Sequence, residues 1–477
     1  RTERSVSTLT TQRRIWRVAV LGDTHIEPAA GTEPRANRRS RAAIAQLGAL
    51  RPDLVVHLGD IVHTLPALPG QDAAWDAAAA ILADVPAPLL ATPGNHDIGD
   101  KPNPSMPAAA VRESWQQRWV TRVGPLWRSH RLGDALIVLV AGPILGSGTA
   151  REDEQWAWLE TTLAAARREG ARVFLFTHYP PFLLDPDEPG HYDNLDPAPR
   201  GHLLALIRRH GVEAVVSGHV HGFFHNRDGG TDHYTVPSVA FARRDYAELA
   251  RIAPAEDEEH GRNDRSRLGL ALIEIDASGH RYHPVATDGA EDADPGWRFL
   301  PPPHPRAGGR ALLGVPLLHD WAGTVALPVN PPTAPFRRRR ARDDRTTLLA
   351  WSLGLDRLRI PLDDLIEPEA RARVVALAAQ GMRFWLHSAG LPDRALLDCI
   401  ATAPLAGWEL ALRSGEIDAA AEVITTHPGK LPPERLLAPI ISTAEREGVA
   451  AHHLFVGGGS ALTEAQATAE RLLQPYR

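Results

Sequence analysis

Between residues 15 and 275, short apolar runs alternate with longer amphipathic stretches, and this alternation constrains the fold more than any other feature of the sequence. Strands that are covered on both faces are apolar almost throughout, whereas helices that pack on a sheet repeat apolar residues at spacings of three and four. The pattern therefore predicts an α/β fold. The predicted strands are 16–21, 54–58, 88–92, 136–140, 173–177, 214–217, 234–239 and 268–275. The predicted helices are 35–50, 72–83, 111–120, 152–168 and 200–210.

A segment rich in proline and glycine, 300–309, follows this region and predicts a domain boundary, because prolines oppose helix and glycines loosen the chain. A chain of 477 residues also exceeds what one hydrophobic core usually organises. We therefore expect an N-terminal extension (1–14), a first domain (15–299), a linker with an unassigned segment (300–345) and a smaller accessory α/β domain (346–477).

The accessory domain has a similar alternation, typical of a smaller α/β unit or part of a barrel. Its predicted strands are 358–361, 383–387, 408–412, 437–441 and 453–456. Its predicted helices are 368–380, 393–403, 418–424 and 462–473. No motif in it indicates a function, and an oligomer interface is one role that we consider for it.

Composition narrows the partners and the possible metal ligands. The 52 Lys and Arg residues against 58 Asp and Glu give a net charge of -6, so no overall attraction to nucleic acid is expected. The single cysteine, Cys399, excludes an intrachain disulfide and a cluster of thiolate ligands. No apolar run reaches the ~18 residues that a membrane helix needs. We expect a cytoplasmic protein, with secretion or a periplasmic location left open because the chain begins at Arg1 rather than Met.

Polar motifs follow the ends of the predicted strands, where ligand sites gather in α/β sheets. The motifs are Gly22-Asp23-Thr24-His25, Gly59-Asp60, Gly94-Asn95-His96-Asp97, Thr177-His178 and Gly218-His219-Val220-His221. Residues two apart on an extended chain point to the same side, so Asp23 and His25 are expected to bind one ion together, and His219 and His221 repeat the spacing. Oxygen and nitrogen donors without sulfur suit Zn, Mn or Fe, and the sequence does not choose among the three.

This ordered set of five motifs, spread over residues 15–280, resembles the calcineurin-like metallophosphoesterase family. The resemblance implies a four-layer β-sandwich flanked by helices, and a centre of two divalent or mixed-valence metal ions. It implies that Asp60 bridges the two ions. The first ion would take Asp23, His25, Asp60 and His221, and the second would take Asp60, Asn95, His178 and His219.

The same resemblance implies the chemistry. A hydroxide between the two ions is the expected nucleophile for attack on a phosphate ester. His96 is assigned to the substrate side, where an imidazole stabilises the pentacovalent phosphorus or protonates the leaving group. We expect Asp97 to orient His96, as carboxylates often orient imidazoles.

The substrate is a small phosphate ester in this interpretation. The domain looks most similar to the cyclic-nucleotide phosphodiesterase-like branch of the family, which favours a small-molecule phosphodiesterase. The alternatives are a phosphomonoesterase, then a nuclease, then a noncatalytic protein that binds phospho-ligands.

The segment 182–194 follows the His178 motif and is expected to form part of the rim of the site, where loops often select the substrate. Its polar residues His191, Tyr192 and Asn194 are candidates for substrate contact, with a purely loop-fixing role as the alternative. For His63, substrate contact and simple exposure on a loop both stay open.

Overall fold

The computed structural model describes residues 14–29, 31–106, 108–243, 265–300, 314–317, 320–327, 340–413, 416–426 and 431–440. The chain falls into two compact units, divided as 1–301 with 324–348 and 302–323 with 349–477. Within the described residues, no helix is both long and apolar enough to span a membrane.

The helices and strands follow one another in the order below. They are β1 (Trp16–Leu21), α1 (Arg35–Leu50), β2 (Leu54–His57), α2 (Gln71–Leu82), β3 (Leu89–Ala91), α3 (Asn95–Ile98), α4 (Glu113–Arg122), β4 (Arg128–Leu132), β5 (Ala135–Val140), α5 (Ala150–Arg168), β6 (Arg172–Thr177), α6 (Pro197–His210), β7 (Ala214–Ser217), β8 (Phe224–Asp228), β9 (Thr231–Thr235), β10 (Gly269–Asp276), β11 (Gly279–Ala286), β12 (Gly314–Pro316), β13 (Thr324–Ala326), β14 (Arg340–Arg342), α7 (Arg345–Ser352), β15 (Arg357–Pro361), α8 (Asp363–Ile366), α9 (Pro368–Ala379), β16 (Arg383–Ala389), α10 (Arg394–Thr402), β17 (Leu405–Arg413), α11 (Ile417–Thr426) and β18 (Glu434–Ile440).

Two sheets face each other in the first unit. One has the order β11-β10-β1-β2-β3, in which β1, β2 and β3 run parallel. The other has the order β4-β5-β6-β7-β9-β8, in which β5, β6, β7 and β9 run parallel. Aromatic contacts join the sheets: Tyr234 stacks on Tyr282 with ring centroids 4.6 Å apart, and Phe174 meets His280 edge-on at 5.6 Å.

Helices cover the outer face of each sheet. Against the first sheet, Leu47 of α1 belongs to one buried cluster with Leu21 of β1. Against the second, Leu163 of α5 and Leu203 of α6 pack with Leu175 of β6. Each fully buried leucine contributes roughly 1.5–3 kcal/mol, so this burial favours the helix, sheet, sheet, helix arrangement. The predicted α/β, four-layer fold is confirmed.

The segment that resisted assignment from sequence contains short strands. The antiparallel pair β13 and β14 belongs to the first unit, where Leu327 and Ala341 cluster with Leu183, Val220 and Phe224. In the second unit, β12, β15, β16, β17 and β18 form a parallel sheet in sequence order. The strand predicted at 453–456 and the helix predicted at 462–473 lie outside the described residues.

Candidate metal centre

The predicted ligands meet where strands of both sheets end. Those from the first sheet follow β1, β2 and β3, and those from the second sheet follow β6 and β7. The two sheets are tied together at this point, because both carboxylate oxygens of Asp23 accept the amide N–H of His219 at 3.1 Å. All seven side chains are buried: Asp23, His25, Asp60, Asn95, His178, His219 and His221.

The backbone at this junction is left-handed rather than extended. Five predicted ligands have positive φ, namely Asp23 (54°), His25 (42°), Asp60 (50°), His219 (68°) and His221 (51°). Asp23 and His25 do lie together, but not because they alternate along an extended strand as we expected. Tight turns with left-handed backbone direct these side chains. A non-glycine residue in this region costs on the order of 1–3 kcal/mol, and such strain concentrates at functional sites.

Glycines in the motifs let two loops approach closely. A Cβ atom on Gly59, whose φ is 96°, would lie 2.4 Å from the amide nitrogen of Gly94. A Cβ atom on Gly94 would lie 2.2 Å from an Asp60 carboxylate oxygen and 2.8 Å from His178. These approaches require the absence of a side chain, which explains why a glycine precedes Asp60 and another precedes Asn95.

One group of donors consists of Asp23, His25 and His221, whose ligand atoms all lie within 4.8 Å of one another. The Nε2 atoms of His25 and His221 are 3.0 Å apart, and His221 Nε2 is 3.5 Å from Asp23 Oδ1. Asp60 Oδ2 lies 3.7 Å from His25 Nε2. The four residues that the resemblance assigns to the first ion therefore lie together.

A second group consists of Asp60, His178 and His219. His178 Nε2 lies 3.4 Å from Asp60 Oδ1, 3.0 Å from Asn95 Oδ1 and 3.2 Å from His219 Nδ1. The two carboxylate oxygens of Asp60 thus face different groups, which is the arrangement that a bridging ligand requires. Ligation itself stays a prediction.

Backbone carbonyls determine which ring nitrogen of His178 and His221 faces the centre. His178 Nδ1 lies 2.9 Å from the carbonyl of Leu58, and His221 Nδ1 lies 2.8 Å from that of Phe241. With an N–H at each Nδ1, it is Nε2 of each ring that lies toward the centre. Metal-binding histidines commonly have such outer partners.

His219 has the opposite arrangement. Its Nε2 lies 3.1 Å from the carbonyl of Tyr192, and its Nδ1 lies toward the centre, beside His178. The loop that contains Tyr192 therefore determines which nitrogen of His219 is available to an ion.

Burial and neighbouring charges control protonation in the cluster. Burial, followed by the nearby His96, lowers the pKa of His25 well below its usual value, and burial, followed by His178, does the same to His219. Burial opposes the charges on Asp60 and His178, but their mutual attraction outweighs it. The pKa of Asp60 is held well below its usual range and that of His178 is raised to about 9, so an ion that binds His178 must displace a proton.

His96 lies at the edge of the first donor group. Its ring Nδ1 donates to the carbonyl of His63, and the ring lies 4.6 Å from that of His25. The side chain is half-buried, whereas the predicted ligands are buried. The carbonyl of His63 therefore fixes the ring, with Nε2 left for other contacts.

Asp97 has different partners from the one that we expected. Its Oδ1 accepts the amide N–H of Ile61 at 3.0 Å, and its Oδ2 accepts that of Gly94 at 2.8 Å, because a carboxyl group in the first turn of a helix can satisfy unpaired amides nearby. Burial raises the pKa of Asp97 to about 8. The expectation that Asp97 orients the ring of His96 is therefore wrong, since this side chain holds two loops together instead.

The three candidates for substrate contact differ in their surroundings. Asn194 donates to Glu188 Oε1 at 2.8 Å, and His191 Nε2 lies 3.2 Å from the same oxygen, so both side chains hold the loop. Tyr192 is half-buried, and its ring lies 4.8 Å from the ring of His219. Of the three, Tyr192 is therefore the one beside the donor groups.

His63 was not among the predicted site residues, although contact with substrate was left open for it. His63 forms a third group of possible ligands with His25 and His96, and the Nδ1 atoms of His63 and His25 are 3.3 Å apart. The only signal for it was its position three residues after Asp60.

Two further residues border the centre without belonging to a motif. Phe241 packs with its ring 4.9 Å from that of His25, and the Arg243 guanidinium lies 4.9 Å from the centre of the Tyr192 ring. Both follow β9 by several residues, so the pattern of motifs could not have identified them.

The donor set fits a pair of divalent cations. Asp60 belongs to the second group and also lies 3.7 Å from His25 of the first. Every member is buried, and oxygen is mixed with imidazole nitrogen. Buried lone pairs that face one another at 3.0–3.7 Å repel unless a proton or a cation lies between them. The set does not discriminate among Mn, Fe and Zn.

The four-layer sandwich, with histidine and carboxylate groups gathered at its strand ends, agrees with the metallophosphoesterase class that the sequence motifs predict. Residues 17–223 match the family model described as calcineurin-like phosphoesterase. The match ends just after His221 and includes all five motifs. The resemblance seen in the sequence is confirmed.

Relatives of this part of the chain include proteins named serine/threonine-protein phosphatase CPPED1. The chain is 33% identical to the Danio rerio protein over 177 residues, which are 36% of this chain and 54% of that one. It is 31% identical to the Mus musculus protein over 207 residues, which are 42% of this chain and 62% of that one. The chain therefore spans between half and two thirds of the length of these relatives.

Solved structures with a similar chain path include a dimetal phosphatase from Danio rerio, with 14% identity, a TM-score of 0.41, and coverage of 57% of this chain and 96% of that one. GAP50 of Plasmodium, named as the anchor in the inner membrane complex, has 16% identity, a TM-score of 0.38, and coverage of 57% and 85%.

Proposed function

We propose that this chain is a dinuclear metal-dependent phosphoesterase whose preferred substrates are phosphate monoesters. The observation that carries the proposal is the pair of buried donor groups that share the two oxygens of Asp60. A pair of cations held there would activate water and neutralise the phosphoryl oxygens during in-line displacement.

The residues of the chain have distinct parts in this reaction. Asp60 contacts both donor groups, because its Oδ2 faces His25 and its Oδ1 faces His178. The carbonyls of Leu58, Phe241 and Tyr192 fix the histidine rings before substrate arrives, so no reorganisation is needed later. The Nδ1–H of His96 donates to a backbone carbonyl, and in the proposed reaction the protonated ring would give its Nε2 proton to the departing oxygen.

The preference for monoesters rests on the relatives, which are named phosphatases, whereas the motif pattern favoured diesters. The deciding experiment compares p-nitrophenyl phosphate with bis(p-nitrophenyl) phosphate on metal-analysed protein with added Mn²⁺. We expect monoester hydrolysis that chelation abolishes, and a diester kcat/KM lower by about tenfold or more. If neither ester is hydrolysed, the proposal that this chain is an enzyme is contradicted. If the diester is hydrolysed faster than the monoester, the phosphodiesterase interpretation is restored.

A further inference from the structure

A fully buried lysine contacts the loop that borders the candidate metal centre. The chain has only two lysines, Lys101 and Lys430, among its 52 Lys and Arg residues. The Lys101 side chain is 1% exposed. Its Nζ donates to the carbonyls of His191 and Asn194, each at 2.6 Å, and to Asp196 Oδ1 at 2.9 Å. The three protons of the ammonium group are therefore all used.

The geometry explains why this cation is a lysine in a chain whose other basic residues, apart from Lys430, are arginines. Three acceptors surround a single nitrogen, which a compact ammonium group can satisfy, whereas the planar fork of a guanidinium spreads its donors over three nitrogens. Burying an ammonium costs several kcal/mol unless its hydrogen bonds and a counter-charge compensate. Asp196 supplies that charge, and the two carbonyls supply the remaining bonds.

The contacts of Lys101 lead to one metal-binding candidate. The carbonyls of His191 and Asn194 lie on either side of Tyr192 in the chain, and the carbonyl of Tyr192 is the partner of His219 Nε2 at 3.1 Å. That partner leaves Nδ1 of His219 in the second donor group. Movement of this loop would therefore release the ring of His219.

We propose that Lys101 is a positioning residue for the second donor group: it fixes the peptide of Tyr192 so that His219 offers Nδ1 to the second ion. The inference rests on the proposed function, because it assumes that the two groups bind metal. Lys101 acts only through the loop at 191–194, and it contacts neither the ions nor the substrate.

The test is the stepwise binding of Mn²⁺ to the full chain, measured by titration calorimetry for wild type, Lys101→Met and Lys101→Arg. We expect the first affinity to be unchanged and the second to fall by about 10- to 100-fold in both variants, as when an outer partner of a metal ligand is lost. Arginine keeps the charge but not the geometry, so its failure to rescue the second affinity distinguishes positioning from charge.

Arg200→Met is the matched control. Arg200 is also buried, and it donates to a carbonyl of the same loop at a different place, that of Glu188. We expect a lower melting temperature with both Mn²⁺ affinities unchanged. A second affinity that falls as much in Arg200→Met as in the Lys101 variants would overturn the proposal, because any loop damage would then have the same effect.

A spectroscopic measurement on metal-free protein covers the case in which Lys101→Met does not fold. In imidazole ¹⁵N spectra, we expect the Nε2–H tautomer of His219 in wild type and a mixture of tautomers in Lys101→Arg. A single unchanged tautomer, or a second affinity within threefold of wild type, would overturn the inference while leaving the enzyme proposal intact. Fewer than two Mn²⁺ bound by wild type would instead contradict the proposed metal centre.

Discussion

Both units of the chain contain parallel strands with histidine and acidic residues, but they place these residues differently. In the first unit, the seven predicted donors lie beyond the strand ends with their side chains buried, and five of them have left-handed backbone. In the second unit, Arg359, His387 and Glu409 lie within three neighbouring strands. Arg359 Nε is 2.6 Å from Glu409 Oε2, and Arg359 Nη2 is 2.7 Å from His387 Nδ1.

The difference shows what separates a binding site from a structural ion group. Arg359 and Glu409 satisfy each other's charges across the sheet, and their side chains stay 35% and 23% exposed. The predicted donors of the first unit are buried carboxylate, amide and imidazole groups, and in the proposed function a cation would satisfy them. Position at strand ends, together with the need for a cation, therefore indicates function better than composition does.

The largest expected effect tests the shared member of the two donor groups. Asp60→Asn removes one charge that faces both groups, so we expect both metal sites to weaken. Cation stabilisation is worth several kcal/mol, so turnover of p-nitrophenyl phosphate should fall by at least about 10³-fold. Metal analysis after gel filtration and steady-state kinetics measure this, with the exposed Asp153→Asn as control. Two full equivalents of metal in the variant would contradict the prediction that Asp60 bridges the two ions.

The next effect tests His96 as a proton donor. His96→Ala should keep both metals and lose about 10²-fold in turnover of an alkyl phosphate. The loss should be smaller for p-nitrophenyl phosphate, because nitrophenolate leaves without a proton. The exposed His130→Ala is the matched control. Equal losses for the two substrates would show that His96 acts on something other than the leaving group.

A smaller effect concerns a buried ion group in the first unit that is not at a strand end. The hydrogen bond from His283, together with Arg17, lowers the pKa of Glu274 to about 2. This stabilisation is present above the unfolded pKa near 4.5 and is lost as the pH falls through the folded pKa. After allowance for solvent screening, Glu274→Gln should lower the free energy of unfolding by about 1–2 kcal/mol at pH 7 and by less at pH 3.

Urea unfolding of the full chain at both pH values measures the effect of Glu274→Gln, with the exposed Glu154→Gln as control. Turnover at pH 7 should stay near wild type, since Glu274 lies within β10 and not at the strand ends that hold the donors. A difference in stability that grows as the pH falls would reverse the sign that we expect from its pKa.

The smallest effect is expected in the second unit. Glu409→Gln breaks a partly exposed ion group, so we expect at most ~1 kcal/mol of stability to be lost and turnover to stay unchanged. Thermal unfolding and kinetics of the full chain measure this. A large loss of turnover would contradict the view that this group is structural, and would give the second unit a part in catalysis.

The fold was predictable where periodicity was strong. Helix α1 begins and ends where its apolar spacing predicts, at Arg35 and Leu50. Strand β4 was missed because its residues Arg128 to Arg131 are polar and half-buried or exposed. Strands β8 and β11 were missed because their cross-strand partners, rather than an apolar run, hold them.

The site was predictable as a set of residues but not as a geometry. Spacing and order predicted seven residues that the structure brings together, since each follows a strand, and their ligation of metal stays a prediction. The left-handed turns at Asp23 and Asp60 could not be deduced from residue type, and Lys101 and Arg243 act across long stretches of chain. The surroundings of Asp97 also depend on amides from another loop, so motif reasoning gave it a partner that it does not have.

The positive φ angles at five donors also bear on how this protein responds to mutation. At such positions, glycine or asparagine would relax the backbone, so replacing a predicted donor is expected to stabilise the fold while removing a ligand of the proposed metal centre. Selection for stability of the fold and selection for activity then act in opposite directions at the same residues. The strand-end turns are therefore where a trade-off between the two should be sought.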